Sequence, residues 1–128
     1  MNEKNAEFEP LPCNAIIYRA LLRKQWIESE TERIKPNAYF LRKNKNEVGI
    51  SVNIASVYSP EQCAARFINC YGVVSLHTGR IRDLGLDVLQ DSIYHAQIVG
   101  LPYQEDEFDR AVRLARLLAN QSRIVWRP

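Results

Sequence analysis

Short apolar runs and alternating apolar and polar positions mark the first half of the chain, and both patterns are typical of β-strands. Residues 15–22 are apolar except at Arg19, which predicts a buried strand with one charged position. Residues 49–54 alternate between apolar and small or polar side chains, which predicts a half-buried strand. Residues 38–42 predict another short strand, joined to residues 49–54 by a turn-rich stretch as a β-hairpin. Residues 25–36 are polar and predict a loop.

A helix over about residues 60–69 is predicted from the signals at its start. Ser59 can serve as the N-cap, and Pro60 suits the first helical position because no N–H is needed there. Gln62 completes a capping box with Ser59.

Two further helices are predicted in the second half of the chain. A short helix over about residues 79–84 follows Thr78, which can cap it, and Gly85 is suited to ending it. The longest helix is predicted at residues 106–120, where acidic side chains crowd the first turn and suit the helix dipole. The predicted buried face of this helix carries Phe108, Ala111, Val112, Ala115, Leu118 and Ala119.

The order of these elements predicts the fold class. Four more strands are expected, at residues 71–76, 86–89, 94–99 and 123–127. Because strands and helices do not alternate regularly, we predict an α+β fold with a mostly antiparallel or mixed sheet. A length of 128 residues suits one domain, so we predict a flexible N-terminal arm at residues 1–12 and a single compact domain at residues 13–128.

Composition and charge narrow the class of protein. Hydrophobic residues make up 46% of the chain and charged residues 25%, close to the average of soluble globular proteins. A formal net charge of +2 makes a nucleic-acid partner unlikely and gives no indication of a membrane partner. Residues 1–12 lack the apolar core of a signal peptide, and the three cysteines form no Cys-x-x-Cys pair. We therefore expect a cytoplasmic protein with reduced thiols, no metal site and no cofactor.

The candidate chemistry rests on two histidines, because imidazole titrates near neutrality and the standard catalytic motifs are missing from the sequence. His95 shares a strand face with Gln97. His77 lies at a strand-to-helix junction, where free backbone N–H groups can bind an anion. For each histidine the alternative is a hydrogen-bonded structural residue.

Arg19 is a third candidate, because an arginine in an apolar strand must be paired or face a cleft. Either it pairs with a carboxylate at the edge of the core, or its planar guanidinium serves as an anion clamp. Ser51 lies on the polar side of its strand and could point into the same cleft. The sequence places no base beside Ser51, which makes it a weak nucleophile.

Further binding candidates are aromatic or basic. They are Tyr18, Trp26, Phe40, His77, Arg80 and Arg82. The aromatic side chains of Trp26, Tyr39 and Trp126 are expected to be exposed and could anchor a protein interface. A stripe of arginines at positions 110, 113 and 116 is interpreted as a solvated helix face, with contact to a phosphate backbone as the alternative.

Several short segments carry a resemblance to known proteins. They are Ile17-Tyr18-Arg19, Trp26-Ile27, Ala38-Tyr39-Phe40-Leu41-Arg42, Gly49-Ile50-Ser51-Val52 and His95-Ala96-Gln97-Ile98-Val99-Gly100. Together they resemble a widespread group of small bacterial proteins without an assigned function. The resemblance covers most of the chain and implies a compact cytoplasmic bacterial protein. It singles out Arg19, Phe40, Ser51 and His95 but implies no reaction.

Tyr18-Arg19 and Ser51 also carry a fainter similarity to the ADP-ribosyltransferase-like fold. Proteins of that fold often place an arginine or histidine on an early strand and a serine or tyrosine on a later one. The similarity implies a pocket for NAD. This sequence departs from the pattern because it has no Glu-x-Glu catalytic acid near a late strand.

Two functions from different classes follow. The favoured hypothesis is a non-catalytic binding or regulatory module that acts through contacts with another protein. The alternative is a small enzyme acting on a nucleotide, NAD or a phosphate-bearing substrate. In that enzyme Arg19 would be the anion clamp, His95 the general acid or base, and Ser51 a third residue of the same pocket.

Overall fold

A computed structural model describes residues 8–128 and contains one six-stranded sheet. The strands are β1 (Ile16–Leu21), β2 (Gly49–Ile54), β3 (Gly72–His77), β4 (Asp87–Gln90), β5 (His95–Val99) and β6 (Arg123–Trp126). The helices are α1 (Pro60–Ala65), α2 (Thr78–Arg82) and α3 (Phe108–Gln121). The strand order is β4-β5-β2-β1-β3-β6 and all neighbouring strands are antiparallel. The predicted α+β class is confirmed.

Helices pack on both faces of the sheet because the strand side chains alternate between them. The larger core contains Ile17 and Leu21 of β1, the apolar side chains of β2, and Leu114 and Leu118 of α3. The smaller core, on the opposite face, joins Ala20 of β1 to residues of α1. Arg19 lies between Ile17 and Leu21, so strand periodicity directs its side chain to the face of the larger core.

The predicted strand at residues 38–42, and with it the predicted hairpin, is wrong. The chain instead forms a 3₁₀ helix at Pro36–Tyr39, and β2 pairs with β1 and β5. Proline at the first position fixes a backbone angle suited to a helical turn. The consecutive residues Ala38 and Tyr39 are both buried, against the larger core, which a strand with one solvated face does not allow.

The helix predicted at residues 60–69 begins as expected and ends early. The capping box between Ser59 and Gln62 is present, but α1 stops at Ala65. Only Cys63 and Ala64 of the helix are buried, and Ile68 is 100% exposed. The non-helical turn after Ala65 packs Phe67 against the smaller core and leaves Ile68 outside it.

The other two helices differ from the prediction in detail. Thr78 is the first residue of α2 rather than its cap, while Gly85 adopts a positive φ of 84° after the helix, as expected of a stop signal. In α3 the prediction for Phe108 is wrong, because Phe108 is 60% exposed and Leu114 contributes to the buried face instead. Phe108 is the first residue of α3.

Residues 1–7 of the predicted N-terminal arm lie outside the described residues. Within the described part of that arm, Leu11 is buried in the larger core. No helix formed by residues 8–128 has the length and apolar character needed to cross a bilayer.

Tyr39 links the 3₁₀ helix to the end of α3 through a side-chain hydrogen bond. Its hydroxyl donates to Oγ of Ser122, which in turn donates to the carbonyl of Leu118. Burial raises the pKa of Tyr39 from 10.0 to about 12. The Tyr39→Phe variant should lose about 1 kcal/mol of unfolding free energy at neutral pH, because it removes a buried hydrogen bond.

The raised pKa of Tyr39 also predicts how stability depends on pH. A pKa raised in the folded state stabilises the fold below the unfolded pKa, and that stability disappears as the pH rises toward about 12. The wild-type protein should therefore lose stability between pH 10 and 12 more steeply than Tyr39→Phe, as measured by urea denaturation. Parallel curves for the two proteins would contradict the assignment.

Candidate functional site

The sheet is split between its two central strands. β1 and β2 pair only at one end, through Ile17 with Ile54 and Tyr18 with Asn53. Beyond that point β1 continues alongside β3 as far as Leu21, and β2 continues alongside β5 as far as Gly49. The two central strands therefore diverge over the stretch that follows Tyr18.

Backbone polar groups face each other across this split. The N–H of Ile54 donates to Tyr94 on the β5 side, and the carbonyl of Leu21 accepts from Tyr71 on the β3 side. Because backbone groups alternate in direction along a strand, those of Ala20 and Ser51 point into the split. These two residues are not partners in the ladder. The split therefore offers strand edges to a ligand inside the sheet.

Arg19 spans the split with its guanidinium. Nη1 donates to the carbonyl of Ser51 at 3.2 Å, while Nε and Nη2 donate to the carbonyl of Ala38 at 3.3 and 3.0 Å. The guanidinium carbon lies 5.3 Å from the ring centroid of Trp26, in cation–π contact. Arg19 thus joins β1, β2 and the 3₁₀ helix at one point.

The charge of Arg19 is not neutralised by an acid. In residues 8–128 no carboxylate forms an ion pair with it, so the predicted carboxylate partner is absent from the described structure. Burial lowers the pKa of Arg19, and Tyr39 and Glu47 partly oppose that shift. A guanidinium nevertheless stays protonated and has five N–H donors, of which the three hydrogen bonds use three. Two donors remain for a ligand.

A cavity of about 790 Å³ occupies the split. This volume lies within the roughly 300–1,000 Å³ typical of small-molecule sites. Five of the residues singled out from the sequence line it: Arg19, Trp26, Phe40, Ser51 and His95. All three residues of the enzyme hypothesis line the cavity, but from opposite faces of the sheet. Ser51 and His95 share the face of Tyr18 and the smaller core, whereas Arg19 lies on the face of the larger core and reaches the Ser51 carbonyl at the split.

The walls of the cavity are strongly basic. Besides Arg19, they include Arg23, Arg42 and Arg66, and Glu47 is the one acidic side chain among the lining residues. Glu47 forms a 2.8 Å ion pair with Arg42, so its charge is balanced by that arginine. That contact lowers the pKa of Glu47 and raises the pKa of Arg42. Within residues 8–128, Arg19, Arg23 and Arg66 have no acidic partner.

Aromatic rings lie beside these charges. Trp26, Phe40 and Phe67 line the cavity, and the guanidinium of Arg66 sits 5.5 Å from the Phe67 ring centroid. Arg66 also donates to the side-chain oxygen of Asn53 at 3.3 Å. The cavity thus combines planar apolar surfaces with cationic donors.

His95 enters the cavity from β5. Its register partner is Asn53, and Ser51 is paired with Gln97, so these four residues share one face of the β2–β5 ladder. Nδ1 of His95 lies 2.7 Å from Oδ1 of Asp91. The side chain is 23% exposed, which leaves the ring accessible from the cavity.

Four of the predicted binding residues lie elsewhere. Tyr18 packs against the smaller core, and His77 is exposed at the other end of β1, opposite Ile16. Arg80 is exposed on α2, and Arg82 forms a 2.8 Å ion pair with Asp87. None of these side chains lines the cavity.

Several cavity residues were missed by the sequence analysis. They are Arg23, Arg42, Glu47, Asn53, Arg66 and Phe67, together with Asp91 behind His95. The four-residue spacing of Asp91 and His95 was visible in the sequence as a carboxylate near a histidine. The three arginines come from different loops and carry no local signal.

No family model, curated protein or solved structure matches this chain. Among residues 8–128 no three His, Cys, Asp or Glu side chains cluster closely enough to hold a metal ion.

The carbonyl contacts of Arg19 provide a second testable prediction. Arg19→Met keeps a long side chain but leaves two carbonyls without their donor, so we expect a loss of about 1–2 kcal/mol of unfolding free energy. Arg113→Met, at an exposed position of α3, is the matched control and should change stability by less than about 0.5 kcal/mol. Equal effects in urea denaturation would contradict the structural role of Arg19.

Proposed function

We propose that the protein is a small enzyme that binds an anionic, nucleotide-like molecule in the split of its sheet. The observation that carries this proposal is one cavity in the split that Arg19 lines from one face of the sheet and Ser51 and His95 line from the other. Arg19 is the anion clamp, and His95 is the general acid or base. Ser51 contributes hydrogen bonds from the strand edge.

The charge of the cavity favours a ligand with phosphate groups. Arg19 has two free donors, and Arg23 and Arg66 add charged groups that no acid of the described chain neutralises. Guanidinium groups form strong, planar hydrogen bonds to phosphate oxygens. Their charge is also less screened in a recess than on an open surface.

The shape of the cavity favours a ligand larger than inorganic phosphate. A planar ring can stack on Trp26, Phe40 or Phe67, as bases do on aromatic side chains. The backbone groups of Ala20 and the N–H of Ser51, which have no ladder partner across the split, suit the hydrogen-bonding edge of a base or a carboxamide. A nucleotide or NAD meets both requirements, with phosphates for the arginines and a ring for the aromatic wall.

His95 supplies acid–base chemistry beside that ligand. Imidazole can accept or donate a proton near neutral pH. Ser51 has no base in hydrogen-bond contact in the described structure, so its hydroxyl suits ligand binding better than nucleophilic attack.

A module that acts through protein contacts, the other function considered from the sequence, receives less support. Its proposed anchors were Trp26, Tyr39 and Trp126. Tyr39 is buried, Trp26 lies under Arg19, and Trp126 is half-buried against the smaller core. That function stays a prediction.

A thermal-shift comparison of ADP, NAD, pyrophosphate and adenosine tests the ligand class. ADP at about 100 times its Kd should stabilise the fold by about 2.7 kcal/mol and raise the Tm by several degrees. Adenosine should bind much more weakly because it lacks phosphates. Arg66→Ala should weaken ADP binding about fivefold or more, corresponding to roughly 1 kcal/mol. Arg113→Ala, with the same change of charge outside the cavity, should bind ADP as the wild type does.

Two results would overturn this function. One is the absence of a shift with every compound. The other is equal binding of ADP and adenosine, which would exclude recognition of the anion. Arg66 is exposed, and the Asn53 oxygen that it bonds also accepts from the Cys63 thiol, so we expect Arg66→Ala to fold and the comparison to be interpretable.

The role of His95 is tested by separating binding from turnover. His95→Gln keeps a polar side chain of similar reach but cannot exchange a proton near neutral pH. We expect this variant to retain the thermal shifts with ADP and NAD. The rate at which it converts either nucleotide, measured by chromatography, should fall at least about 100-fold. His77→Gln is the matched control because His77 lies away from the cavity. Equal conversion by both variants would show that His95 is not the acid–base group.

A further inference from the structure

We infer that Asp91 is the positioning residue that presents Nε2 of His95 to the cavity. The catalytic use of His95 rests on the proposed function. Which ring nitrogen of His95 carries the proton does not depend on that function. Asp91 does not line the cavity itself. It acts on a ligand only through the histidine.

The contact between the two side chains is short and directional. Oδ1 of Asp91 lies 2.7 Å from Nδ1 of His95, and Nε2 of Gln97 donates to the other carboxylate oxygen at 3.5 Å. A carboxylate only accepts hydrogen bonds, so Nδ1 must carry the proton. Nε2 of a neutral ring is then an unprotonated acceptor, and no hydrogen bond in residues 8–128 occupies it.

The turn between β4 and β5 holds this pair in place. The carbonyl of His95 accepts from the N–H groups of Asp91 and Ser92 at 3.0 and 3.3 Å. The N–H of His95 donates to Oγ of Ser92 at 3.1 Å, and Gln90 bonds the carbonyl of Ser92. Four hydrogen bonds therefore fix the backbone on which both side chains stand. A surface ion pair between two flexible side chains has no such support.

This arrangement defines the proton transfer that His95 can perform. When a hydroxyl of the ligand or a water molecule loses its proton, that proton forms a bond to Nε2, and the oxygen keeps the electron pair. The imidazolium that results holds protons on both nitrogens. Asp91 stabilises its positive charge through the Nδ1–H bond without taking the proton itself. In the reverse direction Nε2–H returns the proton to a leaving group.

The tautomer of His95 is the first readout, and it needs no ligand. Two-bond ¹H–¹⁵N correlation spectra at about pH 8.5 report which ring nitrogen is protonated when imidazole is neutral. The chain has two histidines, so the His77→Gln variant assigns the signals. We expect the Nδ1–H form in the wild type and a shift to the Nε2–H form, the usual one for free imidazole, in Asp91→Ala. An Nε2–H ring in the wild type, or no change in Asp91→Ala, would overturn the inference.

Turnover is the second readout, and it separates positioning from binding. Asp91→Asn should lower kcat by at least about tenfold while KM stays within about twofold, because the ring is misoriented but the arginines still hold the ligand. Asp109→Asn, an exposed acid on α3, is the matched control and should leave both constants unchanged. Equal kcat values for Asp91→Asn and Asp109→Asn would overturn the role of Asp91. If no nucleotide binds to the wild type, the proposed function fails, while the spectra still decide the state of the ring.

Discussion

The site depends on one charged group placed where two strands separate. A strand pair that diverges leaves backbone groups without ladder partners, and Arg19 supplies donors to one of them while also binding Ala38. The guanidinium is suited to this because its planar donors point in several directions at once. A lysine ammonium would reach the carbonyls but could not hold the same plane against Trp26. The geometry of the cavity therefore follows from the chemistry of a single side chain.

The rest of the fold keeps that group in position. Tyr39 and Ser122 attach the 3₁₀ helix to α3, which presents the Ala38 carbonyl to Arg19 from outside the sheet. A protein core would not retain a guanidinium without an acid unless other interactions compensated for its burial. Here carbonyl dipoles and an aromatic face provide that compensation. The positive charge has no carboxylate partner within residues 8–128.

Local sequence signals predicted the local parts of this structure. The capping box at Ser59, the alternation along β2 and the helical spacing in α3 each depend on neighbouring residues. The 3₁₀ helix at Pro36–Tyr39 was missed because its conformation depends on burial against α3, about 80 residues later in the chain. The cavity could be predicted only in part. Strand membership placed Arg19, Ser51 and His95 on the sheet, but the strand order that unites them is a non-local property.

The short ladder between β1 and β2 also has a mechanical consequence. The sheet consists of two three-stranded halves, β4-β5-β2 and β1-β3-β6, which share two residue pairs at one end of their common boundary. Arg19 lies at the open end of this boundary. Its hydrogen bonds to Ser51 and Ala38 take the place of the backbone ladder that two fully paired strands would have. The two halves of the sheet are therefore held together largely by side chains, through Arg19 and through the larger core that packs β1 against β2, rather than by a continuous backbone ladder.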